Sequence, residues 1–331
     1  MESSLSSVSA PSPPGRTWAA RPVTWVYRFG EIPVFRSRFR VLQLEGHFLD
    51  RAGEGVPDLP KEARSRDVAG ALVRSQRLDA AGGTVAMKDG MIRYLVNPAP
   101  RFWIDLSGTF ADYTAKFSSK TRQTLGRKTR KLLGAGATFH AYRTPGEMEV
   151  FIRLARELSA KTYQERLLGV GFPSDPAFHA RILERAREDR ERGYLLLVGE
   201  RPIAYLYTPE SHPGVLSYHS LGYDPEFEHS SPGTVLQYLV VERLFEEGTH
   251  RVYDFGEGET EQKKLFGTHH VRCADLYLLR PTPANLSRVG ARVAIESVSS
   301  GIVWTLDRIG VKRWVKRLLR RRMVAPGSQH G

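Results

Sequence analysis

Residues 215–266 constrain the fold most. Val215–Leu221 reads as a strand, followed by a loop that closes on Ser230-Ser231-Pro232-Gly233. Gly233–Glu247 reads as an apolar-periodic helix, and Arg251–Gly256 as a second strand carrying Asp254 at its end. A charged segment, Glu257 to Lys263, comes next. A helix that starts on a small-residue turn points unbonded N–H groups outward and is a ready anion site. Carboxylates and a lysine at the exit of the next strand place acid–base groups nearby. The expectation is anion binding joined to proton transfer in one short stretch.

Composition sets the bounds. A chain of 331 residues holds one large or two modest domains. Its single cysteine, Cys273, cannot build a disulfide framework or a cysteine-rich metal site within one chain, which fits a reducing, cytoplasmic setting. Cys273 alternates with apolar residues and reads as a buried structural thiol. The histidines show no ligand spacing, so no metal is expected. No apolar run approaches the ~20 residues of a membrane span. Met1–Gly15 is rich in Ser and Pro and reads as disordered, without the apolar core of a signal peptide. The net charge of +13 favours anionic partners such as CoA phosphates, nucleic acid, anionic lipid or acidic sugars.

Along the chain the patterns mix helix and strand. Thr24–Phe29 and Phe39–Leu44 read as strands. Lys61–Leu78 reads as a helix with Val68, Leu72 and Val73 inward, and Thr84–Val96 as a hairpin turning at Asp89-Gly90. Arg101–Leu106 reads as a short strand. A basic helix spans Thr114–Leu133, and Ala137–Tyr142 is a strand. Thr144-Pro-Gly-Glu147 is a capping box opening a helix to about Glu165. Another helix starts at Asp175-Pro176. Residues 194–198, 203–207 and 215–221 read as three antiparallel strands. Past Pro281, Val311, Trp314, Val315, Leu318 and Leu319 share one helical face opposite a basic one, a pattern that suits either docking on the protein's own core or lying on anionic membrane. The segments are residues 1–20, disordered; 21–108, a smaller α/β region; 109–281, the main α/β domain; and 282–331, a basic amphipathic helix and tail.

Three motifs carry a resemblance: Tyr218-x-x-x-Gly222-Tyr223-Asp224, Ser231-Pro232-Gly233-x-x-Leu236 and Asp254-Phe255-x-x-Gly258-x-x-x-x-Lys263. Upstream, Ile104-Asp105-Leu106, the run Phe117 to Arg122 and Pro202-Ile203-Ala204 keep the same order. From about Phe102 to Arg280 the chain resembles the GNAT-superfamily acyltransferase family associated with cellulose biosynthesis (CelD/BcsL type). That family usually places an aromatic residue before the lysine, where this chain has Gln262. The resemblance implies a GNAT-like mixed sheet flanked by helices, preceded by a smaller, degenerate α/β half. It further implies an N- or O-acyltransferase using acetyl-CoA or another acyl-CoA, with a possible link to polysaccharide or envelope synthesis.

Under that resemblance Leu221, Tyr223, Ser231, Gly233 and Thr234 would hold the CoA, and Asp254, Glu257, Lys263 and His219 are the catalytic candidates. A carboxylate suits deprotonation of an acceptor, and a lysine suits an acidic acceptor group or a developing oxyanion. Each has a plainer reading: an ordinary capped helix, a solvated loop, an exposed lysine, a hydrogen-bonded strand histidine. Tyr218 and His219 should face opposite sides of their strand. The basic run Lys116–Lys131 has only Phe117 interleaved, which disfavours nucleic acid. Two other functions fit the composition. One is an aminoacyl-tRNA-dependent transferase of the peptidoglycan-bridge kind. The other is a non-catalytic fold acting at the membrane surface.

Overall fold

The computed structural model describes residues 17–29, 32–51, 58–78, 83–161 and 171–308. The chain forms two compact units, residues 1–98 with 274–331, and residues 99–273. The expected boundaries at 108/109 and 281/282 lie ten and eight residues beyond the crossings at 98/99 and 273/274. The expected basic helix at Val311–Leu318 lies outside the described residues, as does the Ser/Pro-rich start up to residue 16. Both units mix helix and strand, and the α/β class expected from the sequence is what the fold shows. Among the described residues no helix is long and apolar enough to cross a membrane.

In the first unit β1 (Trp18–Phe29) and β2 (Ile32–Leu44) form a long antiparallel hairpin. The strand order continues β2, β3 (Gly70–Arg77), β13 (His269–Leu279), β5 (Met91–Asp105), with β4 (Val85–Lys88) on β5. Asp89 and Gly90 both take positive φ (51° and 72°), which lets the tight turn match the strand twist. The core is aromatic: Trp25 meets Phe39, Tyr94 and Tyr277 edge-on at 5.0–5.6 Å. The C-terminal helix Pro283–Arg308 is tied to this unit. Tyr27 donates to the Arg288 carbonyl at 3.1 Å, and Asn285 Nδ2 donates to the Ala69 carbonyl at 3.0 Å.

One expectation fails here. Lys61–Leu78 is not a helix; a short 3-10 turn, Lys61–Arg64, precedes the strand β3. Ala71, Leu72 and Val73 are all fully buried. A strand covered on both faces loses its period-two pattern and then reads like a buried helix. Gly70 is the missed signal. A Cβ there would lie 2.1 Å from the Leu278 carbonyl oxygen, so only glycine admits the close strand approach.

The second unit holds helices α1 (Phe110–Ala115), α2 (Ser119–Gly134), α3 (Pro145–Ser159) and α4 (Pro176–Arg187). Strands β6 (Ala137–Tyr142), β7 (Gly193–Val198), β8 (Arg201–Tyr207) and β11 (Ser220–Tyr223) form one antiparallel sheet, ordered β11-β8-β7-β6. The sheet that holds β5 continues through β12 (Val252–Glu257) and β10 (Val215–Ser217) to β9 (Glu210–His212). Helix α5 (Pro232–Glu247) buries Val235, Leu236, Val240, Val241 and Leu244, and α6 (Glu261–Phe266) follows β12.

The expected basic helix over 114–133 is two helices. Ser118 accepts from the Thr121 N–H at 3.2 Å and so caps a fresh start. Lys116, in the gap, turns back to donate to the Phe266 and Gly267 carbonyls at the end of α6. The helix from the Thr144 capping box ends at Ser159. Its expected continuation to Glu165 runs into residues outside those described.

Candidate functional site

The expected single strand 215–221 is broken, and the break makes the site. β10 runs parallel to β12, whereas β11 pairs with β8 in the other sheet. The switch takes one peptide. The Tyr218 N–H bonds the Asp254 carbonyl at 2.8 Å, and the next N–H, of His219, bonds the Tyr207 carbonyl at 3.1 Å. Beyond this point β11 and β12 no longer pair, so the strands part. The side chains diverge as well. Tyr218 lies 5.8 Å from Phe255 on the α5 side, and His219 packs on Tyr207 and Phe178 at 5.2 and 5.8 Å on the α4 side.

The five residues expected to hold a donor lie along one wall of the parting. Ser231 takes a left-handed conformation (φ 53°) as the N-cap of α5, and Pro232, with no N–H, occupies the first turn. Thr234 and Val235 both donate to the Ser231 carbonyl at 3.1 Å. Among the described residues the Gly233 N–H has no acceptor. A Cβ on Gly233 would meet Leu221 at 3.0 Å and Tyr223 at 3.3 Å, so the helix start seats directly on β11. The first turn carries no acidic residue. Instead Lys128 of α2 donates to Ser231 Oγ at 3.0 Å. An ammonium beside the positive end of a sixteen-residue helix is electrostatically unfavourable unless an anion sits between them. The sequence marked Lys128 only as one cation in a basic run; its spatial pairing with the Ser-Pro-Gly turn was not legible.

The four catalytic candidates divide into two groups. Asp254, Glu257 and Lys263 gather at the end of β12, and His219 stands apart at the strand break. Asp254 is buried, is held in a bidentate pair by Arg101 and accepts from the Gly256 N–H at 2.8 Å. Burial works against the Arg101 charge, but Asp254, with Glu257 adding to it, draws the guanidinium pKa up. Glu257 Oε1 lies 3.7 Å from the same guanidinium. Lys263 Nζ donates to the Glu257 carbonyl at 2.5 Å. Burial lowers the Lys263 pKa, with Asp254 and Glu257 pulling the other way and Arg101 adding to the fall. The group is an interlocked buckle on a glycine-rich turn. Removing one partner from such a buried pair costs about 3–5 kcal/mol. Arg101, its hub, escaped the sequence reading because it sits on β5, far away in the chain.

The His219 imidazole has no hydrogen-bond partner among the described residues. Burial among the rings and the nearby Arg181 charge hold its pKa below the ordinary 6.5. Cys273 is fully buried. Among the described residues no three His, Cys, Asp or Glu side chains converge as a metal site would require.

Residues 119–264 match the family model for the acetyltransferase (GNAT) domain, so this span is a GNAT acyltransferase-like domain. No curated protein matches the sequence. Among solved structures, FemX aligns with 11% identity over 80% of this chain and 89% of that chain, at a TM-score of 0.47. The C-terminal domain assigned to a lysylphosphatidylglycerol synthetase of Agrobacterium fabrum aligns with 12% identity over 69% and 72%, TM-score 0.44. A tandem GNAT protein from the clavulanic acid biosynthesis pathway aligns with 14% identity over 82% and 86%, TM-score 0.37.

Proposed function

We propose that the chain is an acyl-CoA-dependent acyltransferase of the cellulose-associated branch, with acetyl-CoA the simplest donor. The observation that carries this reading is the paired positive feature, Lys128 against the N-terminus of α5, at the mouth of the strand parting. Lys128, Ser231 and the Gly233 N–H suit a pyrophosphate, and Leu221 and Tyr223 line the path from there to the break. A donor lying along β11 brings its thioester to Tyr218 and His219. His219 is the group fitted to take the proton from the acceptor, because Asp254, Glu257 and Lys263 are engaged with Arg101 or with the backbone. Most of the rate then comes from holding donor and acceptor together at the break.

The test is calorimetric titration with acetyl-CoA. Lys128→Glu places a carboxylate where the phosphates sit. CoA affinity should fall at least tenfold, about 1.4 kcal/mol, in a variant that unfolds at the unchanged temperature. Unaltered affinity would move the donor elsewhere. No acetyl-CoA binding by the parent protein, with tight and salt-sensitive binding of aminoacyl-tRNA instead, would favour a tRNA-dependent transferase.

A further inference from the structure

A cavity of about 260 Å³ opens on the α4 side of the strand break. Phe178, Arg181, Arg185, Tyr207, Ser211 and His219 line it. Its acidic groups are all consumed. Glu191, fully buried beneath it, accepts from Tyr207 Oη at 2.5 Å and from Arg185 Nε. Arg185 also donates to the Glu210 carbonyl at 2.5 Å. The Glu210 carboxylate accepts from Arg190 Nε at 3.1 Å and from the Gly214 N–H at 2.8 Å. Arg181 is different. It is exposed, its guanidinium lies 5.3 Å over the Phe178 ring, and it has no carboxylate partner among the described residues. Among the described residues the cavity therefore has an internally neutralised floor and, at its rim, one cation without a carboxylate partner. His219 packs against the same Phe178 ring at 5.8 Å, at the point where the strands part.

We propose that this cavity is the acceptor site and that it selects an acceptor carrying an anionic group, a carboxylate or a phosphate. Arg181, steadied by Phe178, holds the anion in its fork of donors. The aromatic walls, Phe178 and Tyr207, cover the carbon skeleton. The acceptor's amine or hydroxyl then meets His219. The nucleophile attacks the thioester carbon, its bond to carbon forms, and the carbon–sulfur bond breaks. The sulfur leaves with the bonding pair. His219 takes the nucleophile's proton and returns it to the sulfur, so the products are the acylated acceptor and free CoA thiol. The acceptor role rests on the acyltransfer reading, whereas the anion selectivity rests on the cavity alone.

The experiment is NMR of the full-length protein with isotope-labelled histidine, titrated separately with inorganic phosphate and with succinate at constant ionic strength. The His219 ring signal is assigned as the one missing in His219→Asn. It should shift saturably with at least one of the two anions. The midpoint should rise tenfold or more in Arg181→Gln and stay unchanged in Lys128→Glu. A signal that does not move overturns the proposal. So does an equal midpoint in Arg181→Gln, or a response that vanishes in Lys128→Glu, which would report the donor site instead. If the His219 response is as expected but acetyl-CoA fails to bind, the anion pocket stands and the acyltransferase reading falls.

Discussion

His219 and Asp254 part in role at the strand ends. Asp254, at the start of its turn, reads as a residue that organises the site, and its carboxylate is committed to Arg101 and the Gly256 N–H. His219 looks like an ordinary strand histidine, yet its ring has no bonding partner among the described residues and faces a cavity. Its protonation should therefore govern activity. The imidazole accepts a proton only when neutral, so kcat/KM should rise with pH as His219 deprotonates. Because burial and Arg181 lower its pKa, the acid limb should have its midpoint below 6.5. Arg181→Gln removes a positive charge that disfavours the imidazolium, so the midpoint should move up towards 6.5, besides any loss in acceptor KM. A pH–rate profile in both proteins checks this. A limb at or above 6.5 in the parent, or one that Arg181→Gln leaves in place, would take the base role away from His219.

Elements were legible where one face is wet and opaque where both are dry. The capping box at Thr144, the Asp89-Gly90 turn and the helix α5 follow from local chemistry, and each stands where the sequence places it. β3 does not, because full burial erases its alternation. The break between β10 and β11 could not be read from the chain either, since it depends on which sheet claims each N–H. Gly222 keeps β11 on its sheet. A Cβ there would come 2.4 Å from the Tyr205 ring, and Tyr205 is buried and packed edge-on against Phe172 at 6.0 Å. Gly222→Ala must push β11 off β8 or displace that ring, at a cost of about 1–3 kcal/mol. Leu221 and Tyr223 ride on the same strand and seat the start of α5. Thermal stability and acetyl-CoA affinity should therefore fall together, measured by calorimetric melting and titration. A melting point within a degree of the parent would mean that β11 tolerates the methyl group.

Across the whole chain, the sequence located a basic C-terminal region, and the structure ties its first part, Pro283–Arg308, to the first unit. The helix Pro283–Arg308 belongs to the first unit: Arg288 and Arg292 lie over Phe39 and Trp25 at 5.0 and 5.2 Å, and Asn285 bridges to Ala69 and Arg280. Ending the chain after Pro281 strips this cover from Trp25 and Tyr27 and removes the buried amide of Asn285. The first unit should then lose cooperative melting, because exposed aromatic area and orphaned carbonyls both favour the unfolded state. Ending the chain after Arg308 removes none of these contacts, so melting should match the parent. What the second truncation deletes is Val311–Leu318 with its arginines and lysines, whose pattern fits the surface of an anionic bilayer, each near-surface cation contributing about 1 kcal/mol. Full-length protein should co-sediment with phosphatidylserine vesicles at low salt and release at high salt. The chain ending at Arg308 should stay in the supernatant at both. If it binds as well as the parent, the attraction comes from cations elsewhere in the +13 chain. If full-length protein ignores the vesicles at low salt, the basic segment has no membrane role.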